Sequence, residues 1–319
     1  MGSGAHACCV DPFVVRVLVA LDETPRAAHV LDVALQVVEH LGGVAVPFRA
    51  VQVPPEFPPA AATSHRDELP AHLVAEATHA LERLVANAPA GRVAAPVVRI
   101  GQPWRAIVEV ADEQGVDLIV IGSHGYHGLD RLLGTVSRHV ADAAHHDVLI
   151  AHDESSAADV RSILIALRGS PRDGTILARG LAVAHAWRAA VHLVRVVRIS
   201  RAQLTRRRAV VGYVDAARFE STQDLSRFAS SDPAVASAFV AFSVGPAWRA
   251  LVETAEEVHA DLIVVGSHEH RRWDAVGRTA TGHVADEAHQ DVLVVHEPSR
   301  AAELPAVNPA PGGGAGRGA

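Results

Sequence analysis

No lysine occurs in the 319 residues, so all 29 basic side chains are arginine. That absence excludes a Walker-A phosphate clamp, Schiff-base chemistry and the strand lysine of protein kinases. Any phosphate is left to backbone N–H groups, arginine or histidine. The only cysteines are the adjacent Cys8 and Cys9, which excludes a disulfide framework and a CxxC centre. Aromatic residues make up 4% and the formal net charge is -7, a poor composition for stacking bases or neutralising a phosphate backbone. Apolar runs are of strand length, too short to span a bilayer. The N-terminus has neither the positive region nor the apolar core of a signal peptide. The sequence therefore reads as that of a soluble, cytoplasmic protein with no specific nucleic acid and no membrane span among its partners.

What is present is a duplication. When Gly101 is laid on Gly245, the stretch to Asp153 matches the stretch to Glu297 at about half its positions without a gap. Trp104/Trp248, Arg105/Arg249, Asp117/Asp261, Gly122/Gly266, His139/His283 and Asp147/Asp291 are among the identities. Val17–Asp22 (VLVALD) likewise matches Ile163–Arg168 (ILIALR). Such a period is too long for a solenoid and marks a repeated domain. The expected boundaries are a flexible N-terminus over 1–13, a first domain over 14–154, a linker over 155–159, a second domain over 160–297 and a disordered Pro/Gly/Ala-rich tail over 298–319.

Within the first domain, short apolar runs alternate with segments of helical spacing. Strands are expected over 14–21, 44–53, 93–100, 116–121 and 148–151, and helices over 25–41, 67–88, 104–113 and 135–145. This order gives a doubly wound parallel five-stranded sheet with helices on both faces, order 3-2-1-4-5, in each domain. The second domain repeats it, although 199–230 is polar and arginine-rich and gives little helical signal.

In such a sheet, ligands bind beyond the C-terminal strand ends where the strand order reverses. There the first strand stops at Asp22, and the fourth stops at Gly122-Ser123-His124-Gly125 before a loop to Gly134-Thr135. Glycines let backbone amides approach an anion, and a following helix N-terminus adds positive potential. Thr135 suits the N-cap. Arg138 then lies in the first helical turn, where a bound phosphate would turn an unfavourable dipole interaction into a charge-assisted contact; an exposed, unliganded arginine is the plainer reading.

These residues resemble the universal stress protein family, across both repeats. Its nucleotide-binding members carry G-x2-G-x9-G-[ST] after the fourth strand and an aspartate ending the first. Here the glycines are kept, but eight residues rather than nine separate Gly125 from Gly134. The resemblance implies ATP or a related adenine nucleotide, with Mg accompanying it, in the N-terminal domain. Asp22 and the backbone near Val51 would border the adenosine. Gly122, Ser123, His124 and Gly125 would line one side of the phosphates, and Gly134, Thr135, Val136, Ser137 and Arg138 the other.

Plainer roles stand beside these. Asp22 can cap a helix, Gly122 and Gly125 can serve only to turn the chain, His124 can be solvated, and Val51 can be core. In the second domain Asp22 becomes Arg168, Gly125 becomes Glu269 and Gly134 becomes Arg278, so an empty or altered pocket is expected. The 20 histidines bring no HExxH and no cysteine partner, and read as composition rather than a metal site. Arg195, Arg198, Arg201 and Arg206–Arg208 read as a solvated basic stretch, and Trp104 and Trp248 as shared packing.

The last strands, Asp147–His152 and Asp291–His296, are apolar edges that would be satisfied by pairing with each other across a pseudo-two-fold axis. The chain would then be a covalent dimer of its own halves, open to further self-association. The function expected is a regulatory binding module. Its rivals are a slow ATPase or autophosphorylating enzyme with Ser123, Thr135 or Ser137 as acceptor, and a scaffold with no nucleotide.

Overall fold

A computed structural model of the chain describes residues 15–52, 68–123, 135–152, 160–199, 207–230, 232–267 and 280–296. The first half contains β1 (Val15–Ala20), α1 (Ala27–Leu41), β2 (Gly43–Val51), α2 (Glu68–Val85), β3 (Val97–Ile100), α3 (Pro103–Gln114), β4 (Leu118–Gly122), α4 (Thr135–Ala143) and β5 (Asp147–Ala151). The second contains β6 (Ser162–Leu167), α5 (Asp173–Trp187), β7 (Ala190–Arg198), α6 (Arg207–Ala229), β8 (Val235–Ser243), α7 (Ala247–Glu257), β9 (Leu262–Gly266), α8 (Ala280–Glu287) and β10 (Asp291–Val295).

The strands form one ten-stranded sheet in the order β3-β2-β1-β4-β5-β10-β9-β6-β7-β8. Pairing is parallel inside each half. Only β5 and β10 run antiparallel, with Leu149 opposite Leu293. The strands are predominantly apolar because helices cover both faces. One face packs Val17, Val19 and Ile165 with α1 and α5, and the other packs Leu18, Ile119, Ile263 and Val292 with α3, α4, α7 and α8. Gly180 of α5 lies so close to Ile165 that a Cβ there would overlap its Cδ1, which fixes how near that helix sits to the sheet.

Several boundaries differ from the expected ones. The third strand is limited to Val97–Ile100. Val93 forms only an isolated bridge to Ala45, because Pro96 between them offers no N–H to a ladder. The helix expected over 67–88 ends at Val85, two residues before Asn87-Ala88-Pro89. Thr135 is the first residue of α4 rather than its cap.

The polar segment 199–230 contains the 23-residue helix α6. Its buried stripe is thin: Ser221 and Leu225 are buried, flanked at helical spacing by the half-buried Val214, Ala217 and Phe228. Apolar side chains also stand on its open side, Tyr213 and Phe219 among them, which hid the period.

Candidate functional site

Three of the expected residues meet at the C-terminal edge of the first half. Ala20 pairs with Phe48 on one side and Ile121 on the other, so Asp22, Val51 and Gly122 emerge from adjacent strands β1, β2 and β4. Asp22 is half-buried. Its Oδ1 accepts the Thr24 N–H (3.0 Å) and the Thr24 hydroxyl (2.7 Å), an Asx turn that sets the exit from β1. The carboxylate does not cap α1, whose N-cap is Arg26. The Val51 carbonyl accepts the Gly101 N–H at 3.0 Å, so that backbone oxygen already closes the end of the β2–β3 ladder.

On the facing side, Ser123 is buried and donates its N–H to Ala151 O at 2.8 Å. Ser137 is buried too, and its hydroxyl donates to the Gly122 carbonyl at 2.6 Å. That bond pins the first turn of α4 against the end of β4. Thr135 is exposed, while Val136 and Arg138 are half-buried. Of the three hydroxyls considered as phosphate acceptors, Thr135 is therefore the accessible one. His124, Gly125 and Gly134 lie outside the described residues.

His139, one of the histidines weighed for metal, donates Nδ1–H to the Thr135 carbonyl and stacks on Trp104 at 5.5 Å. Its counterpart His283 stacks on Trp248 at 5.3 Å, so the tryptophan–histidine pair is a repeated packing unit joining α3 to α4 and α7 to α8. Among the described residues, no group of three or more His, Cys, Asp or Glu is placed to hold a metal ion.

The same edge in the second half is built differently. Arg168 holds the place of Asp22, and its Nη2 donates to the Gly266 carbonyl at 3.2 Å. Burial pushes the Arg168 guanidinium below its usual range, Asp173 opposes that shift, and Arg172 adds to it. A cleft of about 290 Å³ remains, lined by Arg168, Ser170, Arg172, Thr175, Gly266 and Ser267 together with Ile176, Val295 and His296. Asp173, only 2% exposed, opens α5. It accepts the N–H groups of Arg168 (3.1 Å) and Gly169 (2.7 Å) and the Ser170 hydroxyl (3.0 Å).

A pair of buried arginines was not foreseen. Arg49 on β2 and Arg195 on β7 occupy equivalent positions, and each is 7% exposed. Arg195 was expected in a solvated basic stretch; instead it pairs with Asp224 at 3.0 Å and Asp173 at 3.6 Å. Arg49 donates Nη2–H to the Asp22 carbonyl at 2.7 Å. The available signal was an arginine inside an apolar strand at the same place in both repeats, FRAV and VRVV.

This architecture is that of a doubly wound α/β protein, with a strand-order reversal in each half and a cleft at that of the second. The model of the universal stress protein family matches twice, over residues 15–152 and 159–296, and the chain belongs to that family.

Universal stress protein YxiE of Bacillus subtilis is 31% identical over 151 residues, covering 42% of this chain and 97% of that protein. Universal stress protein A homolog 2 of Coxiella burnetii is 43% identical over 60 residues, and the match spans 19% of this chain and 41% of that protein. The structure of a universal stress protein from Archaeoglobus fulgidus covers 88% of this chain and 98% of its own, with a TM-score of 0.63 at 17% identity; that likeness concerns the fold. Among the described residues, no helix is long and apolar enough to cross a membrane.

Proposed function

We propose that the chain is a cytoplasmic regulatory module whose first half binds ATP or a related adenine nucleotide. The contrast between Asp22 and Arg168 carries the reading. Among the described residues, the Asp22 side chain turns back onto Thr24, whereas Arg168 reaches across to Gly266. The strand ends of the first half thus keep a short acidic rim beside Gly122, where the first turn of α4 is tied to the glycine backbone through Ser137.

In this reading Asp22 and the Val51 backbone border the adenosine. Gly122, Ser123, His124 and Gly125 take one side of the phosphates, with Gly134, Thr135, Val136, Ser137 and Arg138 on the other. Mg would arrive with the nucleotide. The bound nucleotide supplies charge that the amides and Arg138 answer, and the output is a change in shape or association rather than turnover. The antiparallel joint between β5 and β10 supports a further part of the proposal, that the tandem chain acts as a covalent dimer of its halves and can self-associate through other surfaces.

The test is mass spectrometry of gently purified protein together with calorimetric titration of ATP. One adenine nucleotide per chain is expected. Gly125→Glu, which copies the second half, should abolish binding while leaving the unfolding transition in place. Unchanged affinity in that variant, or no association at millimolar ATP, overturns the nucleotide reading.

A further inference from the structure

The β5/β10 joint is locked by two reciprocal Asp–His crossings. Each strand opens on an aspartate and is followed by a histidine, and antiparallel pairing brings the head of one strand to the end of the other. Asp147 Oδ1 accepts the His296 N–H at 2.8 Å, and Asp291 Oδ1 accepts the His152 N–H at 2.8 Å. The rings then cross to the opposite half. His296 Nε2 lies 3.0 Å from Ala141 O of α4, and His152 Nε2 lies 3.0 Å from Ala285 O of α8. A carbonyl can only accept, so both bonds require Nε2–H. His152 is 5% and His296 9% exposed. Neutral rings with Nε2–H complete this arrangement, and a second proton would put a charge inside the joint.

We infer that the joint is an acid-sensitive latch: protonation of His152 and His296 loosens β5 from β10 while each half keeps its own sheet. The groups around the rings give the latch little to neutralise that charge. His296 faces His145 and His146 beyond α4, Asp147 at the head of β5, and Arg168 and Arg172 along the cleft it helps to line. Asp147 is already engaged by Arg179 of α5 at 3.2 Å. His152 meets His29 of α1, whose Nε2–H donates to the His152 carbonyl at 2.9 Å, and Asp291. Asp286 of α8 is buried one residue beyond the Ala285 acceptor.

Burial holds the His296 imidazole below its ordinary value, with the helix carbonyl opposing and His145 and His146 adding to the effect. The opened ring protonates near the usual histidine value while the closed one resists. Closure is therefore fully favoured above that value and weakens as pH falls through it, until the closed ring itself titrates. Asp147 acts in the other direction. Burial pushes its carboxyl up, against the His296 N–H and Arg179, so acid relieves a cost there.

Hydrogen exchange of the full chain tests the latch, with amide rates corrected for their intrinsic pH dependence. Peptides covering 147–152 and 291–296 are followed at pH 7.5 and 5.5. Opening should rise up to about tenfold between the two values as the opened His296 ring takes up its proton, with β1 and β6 unchanged. In His152→Gln/His296→Gln, glutamine keeps an N–H for each carbonyl but cannot titrate, so the difference should vanish.

Flat exchange in the unmodified protein, or the same pH dependence in the double variant, overturns the latch. If that variant does not fold, nuclear magnetic resonance of the histidine rings in the unmodified chain decides. Neutral Nε2–H rings at pH 6.5 that charge only as the joint opens support the proposal. Rings that charge at pH 6.5 with the joint still protected refute it.

Discussion

At the end of β1 a carboxylate turns back on its own loop, while at the end of β6 an arginine holds the same backbone position. The acid has moved to Asp173, in place of Ala27 of the first half, where it collects two N–H groups, a hydroxyl and Arg195. Arg49, the counterpart of Arg195, meets a carbonyl at the same depth. One scaffold thus carries two charge arrangements. In the second half a buried acid and base satisfy each other, and the rim is cationic. In the first, the buried cation steadies the backbone of Asp22, whose carboxylate stays at the rim. Duplication preserved the apolar strands and released the strand ends to diverge, because the core depends on volume and the rim on charge.

The largest effect on stability should come from Asp173→Ala, which makes the second half copy Ala27. It strips Arg195 of a buried partner and leaves the Arg168 and Gly169 N–H groups without their acceptor. Removal of one member of a buried pair costs about 3–5 kcal/mol, readable as a lower urea midpoint. A loss below 1 kcal/mol would mean that Asp224 alone compensates Arg195.

A smaller effect separates the two ties between helix and strand end. Ser137→Ala removes the buried 2.6 Å bond to Gly122 O and should cost about 1 kcal/mol. Thr281→Val removes the 3.2 Å bond to Gly266 O in the second half and should cost less. Equal losses in denaturant titrations would show that the two rims are held alike.

The smallest effect is at Arg99, which pairs with Glu113 through both carboxylate oxygens on the surface. That pairing raises the arginine and lowers the acid from their usual values. The second half has Ser243 opposite Glu257 at the matching places. Arg99→Ser should leave the thermal midpoint unresolved from that of the unmodified chain, because exposed pairs contribute little. A clear drop in melting temperature would mark the pair as part of a wider network.

The duplication and alternating periods made the fold legible: β4 and β9 are unbroken apolar runs of strand length, as buried parallel strands require. Boundaries were lost where one residue decides, as at Pro96, and α6 was obscured by its narrow buried stripe. Asp22 and Gly122 were legible from the strand ends, and Ser137 from the start of the helix that follows. What those residues do with their hydrogen bonds was not, since Asp22 can as easily cap a helix as form an Asx turn. Arg195 was misread because five further arginines follow it closely in sequence, while its partners Asp173 and Asp224 lie on the separate helices α5 and α6.

Reversal of strand direction at a single seam has a spatial consequence. The C-terminal edge of the first five strands and that of the second five point opposite ways, so the two strand-order reversals lie on opposite rims of one sheet. Whatever passes between them travels through the seam itself, the antiparallel pair of β5 and β10.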